Sequence, residues 1–74
     1  MNAHTYTYSD CISEANKEMG RSHHFANKTY SLASKAADVH AEAAERWFAY
    51  ARIANRLGSV KVVTFFSGVP VSVQ

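Results

Sequence analysis

The sequence predicts an α+β fold in which a three-stranded antiparallel sheet packs against one short and one long α-helix. Three observations support this prediction. Residues with high strand propensity alternate near the start, apolar residues recur at helical spacing in the middle, and the period changes to two after Gly58. We expect the sheet to consist of the N-terminal strand and a C-terminal hairpin, within a single domain that spans residues 1–74.

The first two elements are a strand and a short helix. Residues 4–8 read HTYTY, and alternating Thr and Tyr suit a pleated, half-buried strand. The next stretch opens with Ser9 and Asp10, whose side chains can cap helix amides, and it closes on Gly20, a residue that often follows a helix end. The pattern therefore predicts a helix of about three turns.

The long helix is predicted between Thr29 and Leu57, with its start placed only to within several residues. Arg52 and Arg56 lie in its last turns, where cations favour the carbonyl end of the helix dipole, and Gly58 follows. Side chains placed at about 100° per residue give one narrow apolar stripe, which we expect to face the core. It consists of Leu32, Ala36, Val39, Ala43, Tyr50 and Leu57, with Trp47 and Ala54 on its flank.

The C-terminal residues predict a β-hairpin with a fixed register. Two runs rich in β-branched and aromatic residues flank Ser67 and Gly68, which form a two-residue turn. Val63, Phe65 and Pro70 are expected to face away from the helices. Pro70 also places the last strand at a sheet edge, because it has no N–H to donate. Three cross-strand pairs are expected to face the helices: Phe66 with Val69, Thr64 with Val71, and Val62 with Val73.

A second apolar band lies beside the core stripe on the long helix. The helix would be roughly 43 Å long, whereas a 74-residue globule is roughly 29 Å across. We therefore expect a second surface to cover the band, and a homodimer would cover it by symmetry. The alternative is that alanine fills exposed positions because its helix propensity is high. The band consists of Tyr30, Ala33, Ala37, His40, Ala44, Phe48 and Ala51.

Two of these surfaces are candidate partner-binding sites. The apolar cluster on the outer face of the hairpin suits a protein contact, unless the N-terminal tyrosines cover it. The second apolar band of the long helix is rich in alanine, and its small side chains would let another backbone approach closely. We call it the alanine-rich band. The predicted partner-binding residues are Tyr30, Ala37, Ala44, Phe48, Ala51, Val63, Phe65 and Pro70.

Residues typical of catalysis or metal binding are present but poorly spaced. His23 and His24 are adjacent, so they cannot share one helix face, and His40 and Glu42 on the long helix point in different directions. Cys11 has no second cysteine to pair with, and we interpret it as a small buried hydrophobe. We therefore expect no enzymatic activity, no metal and no cofactor.

A nucleic-acid-binding surface is the alternative function. The net charge is +2, and Arg46, Arg52, Arg56 and Lys61 gather near the end of the long helix beside aromatic residues. Each cation also has a structural explanation, since Arg46 can pair with Glu42 one turn earlier and the later arginines complement the helix dipole. No helix-turn-helix, zinc-finger or RNP pattern supports this function.

The sequence thus predicts a small non-enzymatic protein that binds a larger protein partner. Short proteins of this kind include the accessory inhibitors with which bacterial viruses block host enzymes or CRISPR complexes, and we expect that class on the basis of size and missing catalytic motifs. The longest apolar run is far shorter than the about 20 residues that cross a membrane. With no signal-peptide pattern and a lone cysteine, we expect a cytoplasmic protein, in the host cytoplasm if it is viral.

Overall fold

The computed structural model describes residues 2–29, 32–65 and 69–73. Five elements follow one another: β1 (Asn2–Tyr6), α1 (Tyr8–Ala26), α2 (Ala33–Leu57), β2 (Val60–Thr64) and β3 (Pro70–Val73). The strands form an antiparallel sheet in the order β1-β2-β3, so β2 is the central strand. The predicted α+β class, with an N-terminal strand, a C-terminal hairpin and two helices, is confirmed.

The chain leaves β1 two residues earlier than predicted, because Thr7 starts the first helix. The Thr7 side chain accepts a hydrogen bond from the Asp10 amide at 3.2 Å, and the Asp10 carboxylate accepts one from the Thr7 amide at 3.0 Å. This reciprocal capping box satisfies amides that a helix start leaves without partners. The prediction that Ser9 or Asp10 occupies the cap position is wrong, since both lie inside α1.

α1 continues through Gly20 to Ala26, so the predicted helix end at Gly20 is also wrong. A glycine inside a helix costs only about 1 kcal/mol relative to alanine. The turn before Gly20 and the turns after it both contact α2, through Glu18, Ser22 and Phe25. These contacts outweigh the weak local preference of one residue.

α2 begins at Ala33, within the several-residue margin of the predicted start, and ends at Leu57 as predicted. Gly58 adopts a φ of 95°, and its N–H donates to the Ala54 carbonyl at 2.7 Å. Glycine tolerates this left-handed conformation at no steric cost, so its position fixes the end of the helix.

The core lies between the two helices and the sheet face that carries Val60 and Val62. Trp47 is fully buried at its centre, where its ring contacts Tyr6 at a centroid distance of 4.8 Å and Tyr50 at 5.9 Å. The prediction that Trp47 belongs to the core is confirmed. The other buried members of this cluster are Cys11, Ala15, Ala51, Ala54, Val60 and Val62.

The buried face of α2 is rotated relative to the predicted core stripe. Leu32, Val39 and Leu57 were expected inside, but they are 65%, 51% and 70% exposed. The sheet and α1 approach α2 from different sides, so the buried arc is centred between the two predicted bands. Its buried members are Ala33, Ala37, Ala43, Ala44, Trp47, Ala51 and Ala54.

The register of the hairpin changes part of the way along it. Val62 pairs with Val73 as predicted, whereas Thr64 pairs with Pro70 and not with the predicted Val71. Val71 is thus an extra residue in β3, which is a β-bulge. Because of this extra residue, the Pro70 side chain points to the opposite face of the sheet from the one predicted.

This reversal corrects the predicted orientation of the last strand. Pro70 was expected to face solvent, but it is fully buried on the helix side, and Val71 was expected inside, but it is exposed. Val73 is also exposed, although it pairs with the buried Val62. The predicted pairing of Phe66 with Val69 and the turn at Ser67 and Gly68 involve residues outside the described ranges.

The molecule is elongated, with Cα extents of 41 × 21 × 12 Å. The Trp47 core joins the sheet to the first half of α1 and the second half of α2, and we call this part the sheet end. Beyond it, residues 18–26 of α1 pack against residues 33–44 of α2. We call this second part the helix end.

Candidate functional site

The alanine-rich band of α2 is covered by α1 within the same chain. Ala37, Ala44 and Ala51 are buried, and the Ser22 hydroxyl donates to the Ala37 carbonyl at 2.9 Å. A side-chain contact to a helix carbonyl requires close approach of the two backbones, which small side chains allow. These three predicted partner-binding residues are therefore not free to contact a second copy, and Tyr30 lies outside the described residues.

Phe48 borders a cleft between the two helices. The cleft has a volume of about 290 Å³, which is at the lower limit for small-molecule sites. It suits a single side chain better than a cofactor. Phe48 is half-buried here and thus remains partly accessible to a partner, unlike the predicted alanines. The lining consists of Met19, Ser22, His23, Ala41, Ala44, Glu45 and Phe48.

A charged cluster that sequence reasoning missed lies at the helix end. Glu18 is fully buried, with one carboxylate oxygen bound to the Arg21 guanidinium and the other 2.5 Å from Nδ1 of His40. The Phe25 ring stacks on His40 at a centroid distance of 5.6 Å, with the ring planes 5° apart. The spacing of Glu18 and Arg21 could have suggested an ion pair, but no local pattern links Glu18 to His40.

A serine, Ser22, follows Glu18 by about one helical turn. It donates its hydroxyl proton to the Ala37 carbonyl, so the serine is not directed at His40. His23 and His24 are exposed and lie in the last turn of α1. In the described ranges, no three His, Cys, Asp or Glu side chains form a group that could hold a metal ion.

Two titratable groups of the sheet end have raised pKa values. Burial raises the pKa of the Cys11 thiol, and the Asp10 and Glu14 carboxylates raise it further. Cys11 thus lies in the core as predicted, and its thiolate is disfavoured. Burial also raises the pKa of the Tyr6 phenol, with a smaller contribution from Glu14, while a hydrogen bond with the Thr64 side chain opposes the shift.

The four cations predicted as a nucleic-acid site are exposed, but Lys61 on the sheet is separated from Arg52 and Arg56 on α2. Arg46 donates to the Pro70 carbonyl at 3.3 Å and forms no ion pair with the predicted partner Glu42. Arg52 and Arg56 lie on the side of α2 opposite Trp47, since about two and a half helical turns separate Trp47 from Arg56. Lys61 projects from the far side of the sheet.

The outer sheet face is the surface on which the sequence prediction and the structure agree most closely. Alternation along β2 buries Val62 and Thr64 and turns Val63 outward, and Phe65 beyond the strand is 52% exposed. Neither N-terminal tyrosine covers this face, because Tyr6 contacts Trp47 in the core and Tyr8 belongs to α1. The described members of the outer sheet face are Ala3, Thr5, Lys61, Val63, Phe65 and Ser72.

Comparison with protein families, with curated proteins and with solved structures gives no significant match to this chain. Separately, no helix of the described residues has both the length and the apolar character that crossing a membrane requires.

Proposed function

We propose that this chain is a non-enzymatic interaction protein that binds a larger protein through its outer sheet face. The observation that supports the proposal is an uncovered face on which Phe65 is more than half exposed beside Val63. Lys61 is the single charged residue among its described members. Aromatic and aliphatic side chains grouped on an exposed, weakly charged surface are typical of the centre of a protein interface.

The size of the face indicates how a partner would extend beyond it. Three strands of about five residues cover roughly 14 by 16 Å, whereas a standard interface covers about 800 Å² on each partner. The contact must therefore continue past a sheet edge. Pro70 and the bulge at Val71 interrupt the β3 edge, whereas β1 pairs with β2 in a regular register without proline or formal charge. We infer that the partner reaches over β1.

A protein partner fits this face better than a nucleic acid. Nucleic-acid binding depends on several cations that contact consecutive phosphates. Here Lys61 is the single cation among the described members of the outer sheet face, and Arg52 and Arg56 lie on the other side of the molecule. An accessory inhibitor of the kind predicted from the sequence needs only a surface that occupies its target, so a bacterial target protein is the first partner to test.

Site-specific photocrosslinking tests this proposal. A photoreactive phenylalanine analogue placed at Phe65 should yield a discrete protein adduct in a bacterial lysate, and nuclease treatment should not remove it. The same analogue at Leu57, which is exposed at the end of α2, is the matched control and should yield no such adduct. Equal labelling from both positions, or an adduct that disappears with nuclease, would contradict the proposal.

A second variant checks the binding surface without a crosslinker. Phe65→Ser should abolish capture of the same protein while thermal stability changes little, because Phe65 is mostly in solvent. Leu57→Ser should leave capture unchanged.

A further inference from the structure

One side of α2 carries acidic residues in its first half and basic residues in its second half. Steps of four and three residues alternate along it, which keeps all members on one helix face. We call this set the charged stripe. Its charged members are exposed and its alanine is half-buried. The members are Asp38, Glu42, Glu45, Ala49, Arg52 and Arg56.

Interactions within the chain do not explain this segregation of charge. Over the ranges that the structure describes, none of the five charged side chains forms an ion pair or a hydrogen bond. Like charges three or four residues apart, such as Glu42 and Glu45 or Arg52 and Arg56, destabilise an isolated helix.

The helix dipole does not explain the segregation either. Its effect is confined to the first and last turns of a helix. The first turn of α2 contains no acidic residue, and Asp38, Glu42 and Glu45 all lie beyond it. Only Arg56 lies in the last turn.

The stripe is complementary to a reversed copy of itself. Its spacing of four, three, four, three and four residues reads the same from either end. We propose that two copies of the chain pair through this stripe, with their α2 helices antiparallel about a two-fold axis. In that register Asp38 faces Arg56 of the second copy, Glu42 faces Arg52, and Glu45 faces Ala49.

The surface around Ala49 allows the two helices to approach closely. An open depression of about 470 Å³ is lined by Glu42, Glu45, Arg46 and Ala49. Glu45 of the second copy would enter this depression next to Arg46. The guanidinium of Arg46 donates to the Pro70 carbonyl, and its other N–H groups remain available for a carboxylate.

This pairing is independent of the proposed partner surface. The charged stripe lies on the side of α2 opposite Trp47, and the outer sheet face lies beyond the core on the other side. It also differs from pairing through the alanine-rich band, whose members Ala37, Ala44 and Ala51 are buried under α1. A dimer of this kind leaves the outer sheet faces of both copies open.

Sedimentation of charge-reversal variants tests the pairing. The parent chain should sediment as a dimer at low ionic strength and dissociate as salt is added, because exposed ion pairs are screened. Glu42→Arg and Arg52→Glu should each lose the dimer, since each places like charges opposite one another. Mixing the two variants in equal amounts should restore a dimer, because each chain then presents the opposite charge to the other.

Lys61→Glu, which reverses a charge on the outer sheet face, is the matched control and should sediment like the parent. Circular dichroism of both stripe variants should match the parent, so that loss of the dimer is separated from loss of the helix. A parent that is monomeric at low ionic strength would overturn the proposal. The proposal would also be overturned if either stripe variant dimerised like the parent, or if the mixture of the two variants stayed monomeric.

Discussion

The sheet end and the helix end of this molecule are held together by different kinds of contact. At the sheet end, the fully buried Trp47 packs against Tyr6 and Tyr50. At the helix end, alanines of α2 meet α1, and the largest fully buried side chain there is a carboxylate, Glu18. One end thus buries large apolar side chains, and the other buries small side chains together with a charge.

This difference shows how the two ends are expected to contribute to folding. Apolar burial stabilises by about 25 cal/mol per Å², so a tryptophan contributes far more than an alanine. A buried carboxylate with both oxygens bound is weak support for stability, because desolvation opposes the Coulombic attraction. We interpret the contact of Glu18 with His40 as one that fixes how α1 and α2 are aligned, while the Trp47 core supplies most of the stability.

The largest expected effect is at the sheet end. Trp47→Ala should lower the free energy of unfolding by about 3–5 kcal/mol, because the surrounding core cannot fill the space that the indole leaves. Small domains have about 5–15 kcal/mol in total, so the variant should be close to unfolded. Urea denaturation measures the change.

Leu57→Ala is the control for this measurement, because Leu57 is exposed at the end of the same helix. Its effect should stay within about 0.5 kcal/mol. Equal effects of the two substitutions would show that the core is not centred on Trp47.

A smaller loss is expected at the helix end. Glu18→Ala should cost about 1–3 kcal/mol, because His40 loses a partner while the exposed Arg21 can turn toward water. A double-mutant cycle with His40→Ala should show coupling between the two sites. The control is Glu14→Ala, whose ion pair with Lys17 lies at the surface at 3.6 Å, and it should change stability little. Strict additivity of the Glu18 and His40 substitutions would argue against a direct contact.

Local signals in the sequence predicted the sheet end better than the helix end. Gly58 and the change of period after it correctly placed the end of α2 and the start of the hairpin, because a positive φ and strand alternation are properties of neighbouring residues. The same reasoning wrongly predicted that the first helix ends at Gly20. Whether a glycine stops a helix depends on what packs around it, and here the contacts come from α2.

The residues of the candidate site were oriented less accurately by the sequence prediction than the elements of the fold. The outward orientation of Val63 and Phe65 was predicted correctly because alternation holds along β2. The orientation of Pro70 was predicted wrongly because a single bulge residue, Val71, reverses the face to which Pro70 points. No local pattern marks a bulge of this kind. The contact of Glu18 with His40 joins residues 22 positions apart, and it depends on how α1 and α2 pack together, which no local pattern records.

Capping also differs between the two ends. α1 begins at the sheet end with the capping box of Thr7 and Asp10, whereas α2 begins at the helix end with Leu32 in the cap position and no side-chain cap. Thr7→Ala should therefore cost about 1 kcal/mol, measured as a lower midpoint of thermal unfolding. Thr5→Ala is a matched control on an exposed strand position of β1, and its effect should be smaller.

The smallest expected effect is a gain in stability near the junction of the two ends. Gly20 lies inside α1, and a Cβ at this position would meet no atom within 4 Å. Gly20→Ala should therefore stabilise the protein by about 0.5–1 kcal/mol. Gly58→Ala is the opposite case, because its φ of 95° strains any other residue. A loss of stability with Gly20→Ala would mean that the chain is not helical there.

NMR of the helix end tests most directly whether α1 covers the alanine-rich band of α2. Backbone chemical shifts should be helical without interruption from Tyr8 to Ala26, and the ring protons of Phe25 and His40 should show a nuclear Overhauser effect in dilute, high-salt solution, where chains are separate. Helical chemical shifts that end at Gly20, together with no nuclear Overhauser effect between the two rings, would contradict this packing. Ala37 and Ala44 would then be exposed.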